Sequence, residues 1–259
     1  MIQVGSVLAV DWSGAKNPAG KIWIGKAKQG LLTRLEPVQS RKEAVNEVIL
    51  HLSSEEKGIA GLDFGFSLPA WFLRENSLSS AFELWDLVEQ EGERWLQECC
   101  WPFWGRTGKK KNDLRKHFRR TEELCNQTQG IKPKSMFQIG GAGTVGTGSI
   151  RGMPFLSKIR EQGFAIWPFD ICVPPLVAEI YPRVLTGPVL KSSKQSRAKY
   201  LGALWPDLPS KLATQAIYSE DAFDTAVSAL MMDRHFSIKS LPRIDRLSRL
   251  EGEIWVPFA

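Results

Sequence analysis

The chain has 259 residues, 43% of them hydrophobic, 24% charged and 10% aromatic, with a formal net charge of +6. That is ample apolar material for a packed core and excludes global disorder. No apolar run approaches the roughly 20 residues of a bilayer span, and the apolar opening Met1 to Val10 has neither a basic flank nor a small-residue cleavage pattern. A soluble, cytoplasmic protein with no membrane partner is expected, read as one domain over 1–259.

In chain order, Val7 to Val10 is an apolar run closed by Asp11 and the turn Ser13-Gly14, Lys21 to Ala27 alternates, and Leu31 to Val38 is a third extended stretch. This pattern predicts a three-strand meander. Ser40 caps a helix whose apolar residues Ala44, Val45, Val48, Ile49 and Leu52 recur at helical spacing. Ile59 to Leu62 is a short strand closed by Asp63 and Gly65. After Pro69 the text turns helical, rich first in Trp and then in Lys and Arg, so 70–135 reads as an insertion. The sheet resumes weakly near Met136, and Met153 to Gln162 reads as a helix. Phe164 to Phe169 and Val177 to Tyr181 read as strands. Ser219 caps a strong helix from Glu220 to His235, and Gly252 to Val256 is a last extended segment.

The side-chain inventory limits the chemistry. Cys99, Cys100, Cys125 and Cys172 form no C-x-x-C pair, and His51, His117 and His235 are scattered. Neither a zinc site nor a histidine base is indicated, so catalysis would fall to carboxylates.

Positive charge is concentrated in two places. Arg106, Lys109, Lys110, Lys111, Arg115, Lys116, Arg119 and Arg120 face the single acid Asp113, and a smaller cluster comprises Lys191, Lys194, Arg197 and Lys199. Such a run is either a solvated basic face or a phosphate-binding surface. Trp95, Trp101, Phe103, Trp104 and Phe118 precede or interleave with the larger run, the combination that stacks bases while cations follow the backbone. The same aromatics would equally form the core of a small helical subdomain.

The acids form the sharper signal. Two separate apolar runs each end in an aspartate followed by a glycine turn, Asp11 and Asp63. On neighbouring parallel strands, about 4.8 Å apart, both carboxylates would meet at the carboxyl edge of the sheet and repel unless a cation joined them. A hard divalent ion with oxygen ligands is the natural partner. In the helix after Ser219, Asp224 lies at the edge of the apolar stripe Phe223, Ala226, Val227, Leu230 and Met231, which aims it at the strand ends. Asp221, one turn away, either joins it or complements the helix dipole. Glu179 interrupts an apolar strand and needs a partner, either a metal shared with Asp11 and Asp63 or an arginine such as Arg183.

The order Val10-Asp11-Trp12-Ser13-Gly14, Asp63-Phe64-Gly65-Phe66-Ser67-Leu68-Pro69, Glu179-Ile180-Tyr181-Pro182 and Asp221-Ala222-Phe223-Asp224 resembles the ribonuclease H-like superfold and, more narrowly, the DUF429 family of predicted ribonuclease H-like nucleases. The resemblance implies an α/β fold: a mixed five-stranded sheet flanked by helices, with the largely helical basic segment inserted. It implies Mg²⁺- or Mn²⁺-dependent phosphodiester hydrolysis of DNA or RNA. Asp11, Asp63, Glu179 and Asp224 would be catalytic, and Asp11, Asp63, Asp221 and Asp224 would be metal ligands. Asp63 departs from the glutamate that many such enzymes carry at this step. The cations named above, with Lys191, Lys194 and Arg197, would neutralise flanking phosphates.

Two other functions fit the same residues: a non-catalytic nucleic-acid-binding module, and a phosphotransferase or ATPase of the actin-like superfamily, which generally carries two copies of the fold where this chain has one meander. Gly141-Ala142-Gly143-Thr144-Val145-Gly146 matches G-x-G-x-x-G, but a dinucleotide fingerprint needs its helix to begin within the motif, and here the helix is expected only from about Met153. No organic cofactor is expected.

Overall fold

The computed structural model describes residues 5–111, 115–129, 131–141 and 143–257. Met1 to Val4 of the apolar opening, and Asp113 and Ala142 of the motifs above, lie outside them. The elements are β1 (Ser6–Asp11), β2 (Ile22–Lys28), β3 (Leu31–Val38), α1 (Arg41–Ser54), β4 (Gly58–Leu62), α2 (Ala70–Glu75), α3 (Ala81–Glu98), α4 (Arg120–Gln129), α5 (Gly146–Glu161), β5 (Ala165–Ile166), β6 (Leu176–Glu179), α6 (Pro182–Thr186), α7 (Lys194–Leu204), α8 (Ser210–Tyr218), α9 (Glu220–His235) and α10 (Ser248–Glu251).

The strands form one mixed sheet in the order β3-β2-β1-β4-β6-β5. β1 pairs antiparallel with β2, and β2 with β3, while β4, β6 and β5 run parallel to β1. The sheet has six strands rather than the five expected, because the two-residue β5 adds an edge. Phe164 to Phe169 contributes only Ala165–Ile166, since Trp167 to Asp170 turns away: the Phe169 and Asp170 amides both donate back to Ile166 O. The Met136 segment joins no sheet strand and makes one bridge, Trp104 to Gln138, and Gly252 to Val256 is reduced to a bridge between Glu179 and Ile254.

Helices cover both faces, so β1 and β4 are buried on both sides and read as continuous apolar runs. Side-chain alternation divides the core in two. Leu8, Val10, Ala60, Leu62 and Val177 meet α1, α2, α3 and α5 through residues such as Val48, Leu73, Leu84, Met153 and Leu156. Val7, Ala9, Ile59, Ala178 and Ile180 meet α7, α8 and α9 through Leu201, Ala216, Phe223, Val227 and Leu230. Among the described residues, no helix is long and apolar enough to cross a membrane.

α5 begins at Gly146, seven residues before the predicted start, and contains Pro154. Its glycine-rich first turn lies against the Ser13-Gly14 turn: a Cβ on Gly14 would sit 2.6 Å from the Gly148 amide nitrogen. Only glycine permits that approach, which seats the N-terminus of α5 beside the carboxyl end of β1. The 70–135 segment supplies α2, α3 and α4. α3 carries a capping box, with Ser80 Oγ accepting from Glu83 N at 3.2 Å and the Glu83 carboxylate accepting from Ser79 N at 2.5 Å, and its face of Leu84, Trp85, Val88, Trp95 and Leu96 is buried.

Candidate active site

Register and parity decide which acids meet. Val10 of β1 lies opposite Leu62 of β4, and Leu62 opposite Glu179 of β6. The next residues, Asp11 and Asp63, therefore share one rung and one face, with the Asp63 amide donating to Val10 O at 3.0 Å. Val10 and Leu62 point toward α5, so Asp11 and Asp63 point toward α9, which presents Asp224. Glu179 is in phase with Leu62 and points the other way.

On the α9 face the negative charge is undercompensated. The Asp11 carboxyl donates to Asp63, and burial together with the repulsion of Asp63, Asp224 and Asp221 raises the Asp11 pKa well above its usual value. Burial and the Asp224 charge push Asp63 up to about 7, against the opposing pull of the Asp11 hydrogen bond and Lys191. The pair behaves as two carboxylates holding one proton between them. Asp224 is also raised, by burial, although Lys191 hydrogen-bonds its Oδ2. Its Oδ1 is buried without a hydrogen-bond partner. Asp221 is exposed in the first turn of α9, where Ser219 Oγ caps Ala222 N at 3.2 Å, a position that favours the helix dipole whether or not it also faces a ligand.

On the opposite face the charges are saturated. Glu179 is 2% exposed and is held by Arg119, whose Nη1 lies 2.9 Å from Oε2 and Nη2 2.5 Å from Oε1, while the Phe66 amide donates to Oε2 at 2.8 Å. Arg119 also pairs with Glu122 at 2.6 Å and donates to Glu251 O at 2.9 Å. The arginine partner of Glu179 is therefore Arg119 and not Arg183, whose Nη1 donates to Val189 O. Glu179 is a structural ion-pair partner in this geometry, not a fourth member of the aspartate cluster. Burial keeps Glu122 near 7 despite Arg119.

The basic residues divide in the same manner. Arg119 is fully buried and Arg197 is 5% exposed, so neither can meet a phosphate. Arg197 staples α7 by donating to Ile217 O at 2.7 Å and to Lys191 O, which fixes Lys191 over Asp224. Arg120 is bound to Asp245 and Glu253, Arg115 to Glu75, and Lys116 to Glu123. Lys194 covers the Tyr218 ring at 3.3 Å. Arg106, Lys109, Lys110 and Lys111 are exposed on a turn closed by Gly105 N to Lys109 O at 3.0 Å. That turn rests on the glycine loop: a Cβ on Gly105 would sit 2.4 Å from Gly140 O. Trp95 and Phe103 stack in the core at 5.4 Å, whereas Trp101 is 51% exposed and tilts against Trp71 at 5.5 Å.

A cleft at this edge is lined by Asp63, Glu122, Glu179, Trp12, Lys134 and Gly148, among others. Glu122 and Lys134 carry no periodicity or motif that marks them in the sequence; only the fold brings them here. The glycine motif does open a helix at its last glycine, contrary to expectation, but no sheet strand precedes it, so the strand-turn-helix context of a dinucleotide site is missing among the described residues.

Whether the acids suit a divalent ion turns on their donors. Among the described residues no group of three or more His, Cys, Asp or Glu is placed to hold a metal ion as it stands: Asp11 and Asp63 are bound to each other and Asp224 to Lys191. The donor chemistry, rather than the present placement, is what suits a hard cation. The set offers carboxylate oxygens only, it contains an orphaned buried oxygen on Asp224, and the Lys191 ammonium already stands in for positive charge.

The chain matches no protein-family model, no curated protein and no solved structure. The geometry above therefore defines its class no further than an α/β protein with a helix-flanked, six-stranded mixed sheet.

Proposed function

We propose that the protein is a ribonuclease H-like, divalent-metal-dependent nuclease that hydrolyses phosphodiester bonds of nucleic acid. The observation that carries this reading is the meeting of Asp11, Asp63 and Asp224, from three elements far apart in sequence, at one sheet edge with more negative charge than Lys191 balances. An antiparallel meander, β1 to β3, flanked by the parallel strands β4 and β6 supports the fold assignment.

Asp11, Asp63 and Asp224 would hold Mg²⁺ or Mn²⁺, which when bound supplies Lewis acidity to the phosphoryl oxygen and acidity to a water. The proton that Asp11 and Asp63 hold between them, on carboxyls whose pKa burial raises, would leave as such an ion is taken up. Lys134 and the exposed cations on the turn seated against Gly140 balance flanking phosphates. Trp12 and Phe64, in ring contact at 4.9 Å, form an apolar wall behind the edge.

The test is cleavage of labelled single- and double-stranded DNA and RNA with Mg²⁺, Mn²⁺ or EDTA. Metal-dependent cleavage lost in Asp11→Asn and Asp63→Asn, with circular dichroism unchanged, is expected. Binding without cleavage under every condition would leave the non-catalytic module in its place.

A further inference from the structure

The cleft at the acid edge has a second wall, and that wall is built of donors. α5, 16 residues long, opens on Val145, which offers no side-chain cap, and it carries no acid in its first turn. Gly146 N is taken by Gln138 O at 3.1 Å and Ser149 N by Val145 O at 3.0 Å, but the Thr147 and Gly148 amides between them meet no acceptor among the described residues. Orphan amides at the positive end of a helix dipole attract an anion. Gly148 lines the cleft together with Thr144 and Val145.

A side chain from another element points the same way. Trp12 is only 8% exposed and lines the cleft, yet its Nε1 has no acceptor among the described residues, although buried donors are normally paired. Its Cδ1, bonded to Nε1, lies 3.8 Å from where a Cβ on Gly148 would stand, so the N–H edge of the indole is turned to the first turn of α5. Trp104, Trp167 and Trp205 are also buried without an acceptor, but none of them lines this cleft. Lys134 adds charge to the same wall. It is exposed and makes no ion pair among the described residues, and its Cε lies 3.5 Å from where a Cβ on Gly143 would stand, over the loop that opens α5.

Size and shape choose the anion. At about 150 Å³ the cleft is smaller than the roughly 300–1,000 Å³ of pockets that enclose a whole ligand, so a nucleotide does not fit inside it, whereas a single phosphate group does. A planar carboxylate offers its oxygens in one plane, while a tetrahedral phosphate turns oxygens toward the helix end, the indole and the ammonium together. The acids on the facing wall are engaged: Glu122 and Glu179 are bound to Arg119, and Asp63 shares a hydrogen bond with Asp11. We propose that this wall seats one phosphate group, the one flanking the scissile bond, on the Thr147 and Gly148 amides, Trp12 Nε1 and Lys134. The inference rests on the nuclease reading for the identity of the substrate, and it makes recognition here a matter of the backbone and not of the bases.

The experiment is a titration of ¹⁵N-labelled protein with inorganic phosphate, followed by ¹H–¹⁵N correlation spectra in EDTA at constant ionic strength, with acetate as the control anion. The Trp12 indole signal, identified by its loss in Trp12→Phe, and the Gly148 amide signal should shift saturably with phosphate and not with acetate. Should Trp12→Phe fail to fold, the Gly148 amide carries the readout without any variant. Lys134→Met should weaken phosphate binding about tenfold, the worth of one charge-assisted hydrogen bond, whereas Lys132→Met, the same charge change at an exposed residue outside the cleft, should stay near wild type. With Mg²⁺ present the titration should tighten, because an ion on the acid wall lifts the repulsion across the cleft. Saturable, Lys134-dependent shifts with no Mg²⁺ effect and no cleavage would uphold the seat and overturn the nuclease reading. No phosphate-specific shift in the folded protein, with or without Mg²⁺, would overturn the seat, and Mg²⁺-dependent cleavage by that same protein would leave the nuclease reading standing.

Discussion

Two charged clusters sit at the same edge of one sheet, a single pleat apart, and they are built on opposite terms. On the α5 face, Arg119 is ringed by Glu122, Glu179 and Glu251 O, with its charge fully engaged. On the α9 face, Asp11, Asp63 and Asp224 have one ammonium among them, and one buried carboxylate oxygen has no partner. Buried charge that is paired and hydrogen-bonded holds structure together, whereas buried charge left short of a counterion is the signature of a site. The first cluster ties α4, β6 and the C-terminal segment into one unit. The second gains nothing for the fold, which is the argument for reading it as functional.

The sharpest way to break the comparison is to unbalance the paired cluster. Arg119→Met leaves Glu122 and Glu179 buried without their cation, a change that typically costs about 3–5 kcal/mol. Urea denaturation at pH 7 should show that loss, or no folded protein at all. The companion Glu179→Gln keeps the Phe66 amide bond and part of the arginine contact and should lose less. A wild-type midpoint for Arg119→Met would mean the cluster holds nothing together.

The opposite sign is expected on the other face. A carboxyl whose pKa is raised on folding keeps its proton where the unfolded chain has lost it, so the metal-free protein should lose stability as pH rises from about 4 to about 7. Asp63→Asn removes that liability. It should match wild type near pH 4 and exceed it at pH 8 by about 2 kcal/mol, the Asp63 shift being discounted because the residue is only half-buried. The readout is thermal unfolding in EDTA at both pH values. A variant less stable than wild type at pH 8 would show that Asp63 is satisfied as it stands.

These contrasts also mark where the sequence stops informing. The ends of β1 and β4 were legible because an apolar run broken by Asp-x-x-Gly or Asp-x-Gly leaves few alternatives, and α9 was legible because its apolar stripe and Ser219 cap fix both phase and start. The face of Glu179 was not, because a four-residue strand buried on both sides carries no alternation from which to read parity. Arg119 and Arg197 were read as surface cations because a basic run looks uniform until burial separates its members, and nothing local distinguishes Arg119 from Arg120. The early start of α5 was hidden by its glycines, which lower helix propensity and are tolerated here because Gly14 and Phe64 press against them.

Lys191 offers the finest test, since among the described residues it is the cation that moderates the charge of the aspartate cluster. With side chains 23% and 13% exposed, the Lys191–Asp224 pair is partly buried, and removing the ammonium in Lys191→Met should cost about 1 kcal/mol in EDTA at pH 8. If the lysine stands where a divalent ion would place its charge, the same variant should gain more from the ion than wild type does. Bound ligand stabilises in proportion to the logarithm of its concentration over Kd, so the rise in Tm on adding Mg²⁺ or Mn²⁺ would be larger in Lys191→Met and absent in Asp11→Asn. Equal rises in wild type and Lys191→Met would separate the lysine from the cation's seat. It would then be a fixed part of the scaffold, as Arg119 is on the other face.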